Sequence, residues 1–263
     1  MKRKYLGLLL AFTIITFGVF GQDFSNKGKE FWLAYSYHVG MVNGGGAPTM
    51  TIYLTSDVAT TYSVEIYGVT TLQSGNMTAG QVITLNIPNT YFINNEGTFT
   101  NKAIRVTAAK PIVVYSFITR SAASAATLCL PTNVLGKEYF SSNFTQISNE
   151  ANSHSFITIV GVEDNTTVEV TPTADTKNGW LAGNTYTVNL NKGVIYQVLG
   201  RVTGNSGVDL TGTRVRSIAS GSGGCKRIAV FSGSGKMFIG CTSGGADNLY
   251  QQLYPTGSWG RII

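Results

Sequence analysis

A set of short motifs occurs twice in this chain, in the same order, and no other feature limits its folding options as strongly. Gly28-Lys29-Glu30-Phe31-Trp32 returns as Gly136-Lys137-Glu138-Tyr139-Phe140, 108 residues later. Thr51-Ile52-Tyr53-Leu54, then Ala59-Thr60-Thr61, is matched by Phe156-Ile157-Thr158-Ile159, then Asn165-Thr166-Thr167. Ala79-Gly80 before a strand matches Ala182-Gly183, and Pro131-Thr132 matches Pro255-Thr256. Pro111-Ile112-Val113-Val114-Tyr115-Ser116 matches Arg227-Ile228-Ala229-Val230-Phe231-Ser232. A unit of about 110 residues is an ordinary domain size. The sequence therefore predicts a first unit over 22–135 and a second over 136–257. Ser258-Trp259-Gly260-Arg261 resembles another beginning, so 258–263 is expected to start a possible third unit and the chain to be part of a longer product.

Within each unit the hydrophobic pattern has period two. Met50, Ile52 and Leu54 alternate with threonine and tyrosine; Val64 and Ile66 flank Glu65; Ile83, Leu85 and Ile87 alternate with polar residues. Val168 and Val170, then Tyr186, Val188 and Leu190, do the same. Such alternation marks half-buried strands. Ile112 to Tyr115 and Ile228 to Phe231 are apolar at every position and read as central strands covered on both faces. Turn residues separate the runs, as in Glu163-Asp164-Asn165 and Asn191-Lys192-Gly193. The predicted class is all-β: two homologous β-sandwich-like units in tandem, each of roughly seven strands. A propeller-like array of short antiparallel sheets is the competing geometry.

The first 21 residues read as a signal peptide. Lys2, Arg3 and Lys4 precede an apolar stretch from Tyr5 to Phe20, and Gly18, Val19 and Gly21 offer a small-residue end before Gln22. That stretch is shorter than the ~20 residues a membrane span needs, so no membrane span is expected after cleavage and the product is expected to be secreted or held at the cell surface. The whole chain carries 19 basic and 13 acidic residues, a net +6. Removing the three leader cations leaves 16 against 13, or +3, and the remainder is scattered. Nucleic-acid binding needs a clustered basic stripe and is excluded. Charged residues are only 12% and apolar ones 43%, which excludes a disordered chain and a long coiled coil.

An exported chain meets an oxidising compartment. Cys225 and Cys241 flank two short strands, Arg227 to Phe231 and Met237 to Gly240, that read as a hairpin, so these two are expected to form a disulfide. Cys129 lies in an apolar run and is expected to be a buried thiol. No zinc-ligand spacing is present, and no cofactor is implied.

No catalytic residue is assigned. His38 and His154 read as polar surface residues, and no nucleophile elbow occurs. Gly233-Ser234-Gly235-Lys236 lacks the spacing of a phosphate loop and reads as the hairpin turn between the two cysteine-bearing strands. Glu163-Asp164-Asn165 reads as a turn rather than a calcium site. Tyr53 and Tyr67 alternate outward from two strands that a short turn would pair, and are the candidate ligand contacts.

Several of these segments together resemble the N-terminal domain family of the IgG Fc-binding protein, found in animal mucus proteins and in exported Bacteroidetes surface proteins. The segments are Gly28 to Trp32, Lys110 to Tyr115, Leu130 to Tyr139, Val162 to Val168, Gly193 to Gln197, Asp209 to Thr213 and Cys225 to Gly233, continuing through Asp247-Asn248-Leu249 to Trp259-Gly260. The resemblance implies a non-enzymatic extracellular binding or adhesion module, contacting a protein, glycoprotein or glycan. A secreted glycan hydrolase and a structural spacer of a larger surface protein are the rival expectations.

Overall fold

A computed structural model describes residues 25–43, 49–144, 146–221, 223–239 and 245–259. The protein is all-β, and among the described residues the longest helix is the four-residue turn Val39–Val42. The first half contains β1 (Gly28–Leu33), β2 (Thr49–Thr55), β3 (Thr60–Ile66), β4 (Thr70–Met77), β5 (Val82–Ile87), β6 (Gly97–Phe99), β7 (Ile104–Arg120) and β8 (Ala123–Cys129). β7, 17 residues long, organises this half. Its first part pairs with β1 and β3, and its second with β2 and β8. Pro111 lies between the β3 and β2 ladders, so its missing N–H interrupts neither, and the β1 ladder is bulged there, between the Gly28–Ile112 and Glu30–Thr107 pairs. With β4 beside β3 and β5 beside β2, seven strands make one sheet curled about β7.

The second half contains β9 (Glu138–Phe140), β10 (Gln146–Ile147), β11 (Ser155–Gly161), β12 (Thr166–Thr171), β13 (Tyr186–Leu190), β14 (Ile195–Leu199), β15 (Val202–Thr203), β16 (Ser206–Gly207), β17 (Arg214–Ile218), β18 (Ile228–Met237) and β19 (Asp247–Gln252). Strand order repeats between the halves. β1-β7-β3-β4 corresponds to β9-β17-β12-β13, and β8-β7-β2-β5 to β19-β18-β11-β14. The second half divides into β17 and β18 what the first makes as the single strand β7, and β6 extends the second half's larger sheet by pairing with β14. β10, β15 and β16 form a separate three-stranded sheet.

Local chemistry repeats as well. A Cβ on Gly28 would lie 2.1 Å from the Pro131 Cβ, and one on Gly136 would lie 2.2 Å from that of Pro255. Each proline opens a 3-10 turn, Thr132–Val134 and Thr256–Ser258. Arg105 donates to Glu30 at 2.7 Å, and Arg214 donates to Glu138 at 2.6 Å. One expected correspondence is corrected. Ala79-Gly80 precedes β5 whereas Ala182-Gly183 precedes β13, which takes the place of β4. The counterpart of Gly80 is Gly193: both have positive φ, and their N–H groups bond the Ser56 and Gly161 carbonyls at the ends of β2 and β11.

Alternation along β11 joins the halves. Phe156 and Val160 enter a core shared with the first half, beside Met50, Ile52, Val64 and Val114. Ile157 and Ile159 enter a second core with Val168, Val170, Val215 and Val230. Every residue of β11 is buried in consequence. The halves are not separate sandwiches, because one sheet of the second closes the curl of the first.

The hairpin expected between Cys225 and Cys241 is absent. Gly233, Ser234, Gly235 and Lys236 lie inside β18, a continuous strand of ten residues. Glycine stands at 233 and 235 because the Leu249 backbone and the Tyr37 ring approach there, not because the chain turns. Extended over ~3.3 Å per residue, the strand holds its ends about 30 Å apart, so residues 228–237 do not fold back on themselves. Cys241 lies outside the described residues. Cys129 is buried and Cys225 half-buried, and neither is bonded in a disulfide. Burial pushes the Cys129 thiol well above the usual thiol range. The expected signal segment, residues 1–21, and the end of the possible third unit also lie outside the described residues. Among the described residues no helix is long and apolar enough to cross a membrane.

Candidate binding face

Alternation in β2 and β7 sets the outer face of the curled sheet. Met50, Ile52 and Leu54 point into the core opposite Ile118, Ser116 and Val114. The intervening residues therefore point outward, with Tyr53 directly opposite Tyr115 and Thr51 opposite Phe117. Leu128 of β8 and Thr84 of β5 extend the tyrosine row to either side. Tyr115 is 43% exposed and Tyr53 half-buried, while Val82 at the edge is 60% exposed. Thr51 Oγ1 donates to Asn86 Oδ1 at 3.0 Å, which secures the neighbouring polar row. The result is an aromatic stripe on the two central strands, exposed at Tyr115 and partly exposed at Tyr53 and Phe117, with the exposed Asn86 amide beside it and Thr51 buried. Apolar rings with polar tips on a rigid backbone suit contact with a protein surface or a sugar ring.

Tyr67, the other expected contact, is elsewhere. β2 and β3 do not pair; each pairs with a different part of β7, which lies between them. Tyr67 instead packs edge-on against buried Trp32, with centroids 4.9 Å apart. The Lys192 ammonium stands 5.5 Å from the Trp32 ring and 5.8 Å from the Tyr67 ring. A Cβ on Gly193 would meet the Tyr67 ring at 2.3 Å. Tyr67 thus belongs to the joint between the halves. Tyr115 was missed because Ile112 to Tyr115 read as buried on both faces; in fact Val113 and Tyr115 face out while Ile112 and Val114 face in.

Both histidines are buried, which corrects their reading as surface residues. His38 Nδ1 accepts the Gly40 N–H at 3.1 Å, and its Nε2 lies 3.4 Å from the Ala123 carbonyl. It borders a polar cavity of about 190 Å³ lined by Arg120, Glu150 and Lys236. The Lys236 ammonium, 2.6 Å from the Glu150 carboxylate, holds that group below its usual pKa. His154 Nδ1 is 2.7 Å from the Gly200 carbonyl, and the ring meets Tyr37 edge-on. Backbone groups occupy both ring nitrogens of His38 and the Nδ1 of His154.

Burial lowers the pKa of both histidines below the ordinary value near 6.5. The folded state then binds fewer protons than the unfolded state as pH falls through that value. The stability they allow is complete above about pH 6.5 and is lost progressively toward the lower folded-state pKa values. Glu96 acts in the opposite sense, because burial raises its pKa and its protonation in acid favours the folded state. Melting temperature is expected to fall between pH 7.5 and 5.5, and to fall less steeply in His154→Asn. A flat profile for the parent protein would contradict this.

Glu163-Asp164-Asn165 forms the turn expected of it. Asn165 has φ +53°, Asp164 Oδ1 accepts the Lys192 N–H at 3.0 Å, and Glu163 Oε1 accepts the Arg227 N–H at 3.2 Å.

A family model described as IgGFc binding protein matches residues 125–262, just over half of the chain. The match takes in most of β8 and every strand from β9 to β19. No curated protein matches the chain, and no solved structure does.

Proposed function

The chain belongs to the IgGFc-binding protein family, and from that membership we propose that it is an exported, non-catalytic module that holds a protein or glycoprotein partner on the outer face of β2 and β7. The observation that carries this reading is the outward-facing Tyr53–Tyr115 pair on central strands, with Tyr115 exposed and Tyr53 half-buried. Central strands are braced on both sides, so a partner need not order them on binding, and little affinity is lost to that cost. The basic-apolar leader at residues 1–21 supports export. The repeated strand order supports two copies of one unit, over 22–135 and 136–257.

An array of extracellular glycoproteins that includes an antibody Fc fragment tests the reading. Changing Tyr53 and Tyr115 together to Ala is expected to weaken the captured partner by more than ~1.4 kcal/mol, tenfold in affinity, without lowering the melting temperature. Unchanged affinity would remove this face from the proposal. Turnover of a glycan or peptide, abolished by changing one Asp, Glu, Ser or His, would favour the secreted hydrolase instead.

A further inference from the structure

Two grooves occur at equivalent places in the two halves. The first, of about 440 Å³, lies between Lys27-Gly28-Lys29 and Thr132-Asn133. The second, of about 360 Å³, lies between Gly136-Lys137 and Thr256-Gly257-Ser258. Each is the space left where a strand-opening glycine packs on a proline, Pro131 or Pro255, and the following 3-10 turn curls away. Arg227 lines both grooves. Its counterpart in the first half is Pro111, so a single guanidinium serves the pair.

The charges at the grooves are unevenly neutralised. Glu30 and Glu138 line them, but each carboxylate is held by an arginine of its own sheet, Arg105 or Arg214. Lys27 pairs with Asp57. Lys29, Lys137 and Arg227 are exposed and form no ion pair among the described residues. Three unneutralised cations thus sit along two adjacent, equivalent cavities, in a chain whose basic residues are otherwise dispersed.

We infer that the two grooves together bind an anionic glycan, one carrying a carboxylate or sulfate at regular intervals. A duplicated site suits a repeating ligand, and polyanionic saccharides repeat their charge along the chain, whereas the surface of a folded protein does not. The remaining walls combine hydroxyls, an amide and backbone, which match sugar hydroxyls, with the apolar side chains of Pro111, Val134, Leu135 and Pro255. Among the described residues no aromatic side chain lines either groove, so the Trp and Tyr anchors of protein hot spots are missing there. This inference is independent of the aromatic face, which lies on the outer side of β2 and β7.

The test is titration of the whole protein with a sulfated hexasaccharide, an uncharged glucan of equal length and a polyglutamate peptide of equal charge. The sulfated chain is expected to bind, and more weakly as salt screens the contacts. Arg227→Gln, which touches both grooves, is expected to lose about tenfold in affinity. Lys29→Gln and Lys137→Gln should each lose less, and the melting temperatures should not move because all three side chains are exposed. Tyr53→Ala with Tyr115→Ala should leave this binding intact. No binding of the sulfated chain, or binding indifferent to all three cation substitutions, would overturn the inference. Polyglutamate binding of equal strength would overturn it in favour of an acidic peptide.

Discussion

Replacing Gly233 by alanine is expected to destabilise the protein by ~3 kcal/mol or more, at the upper end of what overpacking costs. The added Cβ would lie 1.9 Å from the Leu249 carbonyl oxygen, 2.5 Å from its carbon and 2.9 Å from the Phe156 ring. Two of these atoms are backbone of β19, which pairs with β18 through Gly233–Tyr250 and Ser234–Leu249. Relief therefore requires moving β19, and β19 carries buried Tyr250, whose hydroxyl donates to the Ala34 carbonyl at 2.9 Å and whose ring stacks on Phe231. Gly235→Ala should cost less, since its nearest neighbour is the Tyr37 ring at 2.8 Å, a side chain. Gly75→Ala, with nothing nearer than 3.7 Å, should be close to neutral. Thermal melts of the three variants should rank in that order, with Gly233→Ala lowered by about 10 °C. Equal melting temperatures for Gly233→Ala and Gly75→Ala would show that β18 and β19 are not packed as described.

Dividing the chain between Leu135 and Gly136 is expected to leave neither half cooperatively folded. The core of the first half is walled by Phe156, Val160, Ile195, Leu199, Ala229, Phe231 and Tyr250 of the second. Exposing the larger of these costs roughly 1.5–3 kcal/mol each, together on the order of the 5–15 kcal/mol that holds a whole domain. Buried hydrogen bonds would be lost with them. Gln197 Oε1 accepts the Tyr37 N–H at 3.0 Å and the Thr158 hydroxyl at 3.0 Å, while its Nε2 donates to the Asn95 carbonyl at 2.8 Å. Gln252 Oε1 accepts the Leu130 N–H at 2.7 Å, and its own N–H reaches Thr127 Oγ1 at 2.8 Å. Orphaned buried partners cost more than the net value of the bond. Urea unfolding of residues 22–135 and 136–259, made separately, should show broad, non-cooperative transitions, and mixing them should restore a sharp one. A single sharp transition for 136–259 alone, at the midpoint of the whole chain, would mean that the shared core contributes nothing essential.

Much of this architecture is legible in the sequence. Period-two runs placed β2, β3, β5, β12 and β13, because side chains on a half-buried strand must alternate between core and solvent whatever the strand pairs with. The repeated Gly-Lys-Glu and Pro-Thr motifs marked equivalent places because each glycine is required by the proline packed on it, a contact the fold makes twice. The Glu163-Asp164-Asn165 turn was readable for the same local reason: Asn165 tolerates positive φ.

What failed were inferences about which strand lies beside which. Neighbours in sequence, β2 and β3, were expected to pair and so to place Tyr53 beside Tyr67; β7, arriving some forty residues later, separates them. Gly233 and Gly235 looked like a turn because glycine has the same letter whether it serves a bend or a close approach. Only the positions of Leu249 and Tyr37 decide between the two. His38 and His154 looked like surface residues because polarity predicts exposure on average, whereas backbone partners at Gly40 and Gly200 allow both to be buried. Alternation, turns and the repeat are properties of residues close together in the chain, and the sequence by itself determined them. The strand order about β7, the core shared between the halves, and the two grooves meeting at Arg227 depend on residues tens to hundreds of positions apart, and only tertiary packing decided those.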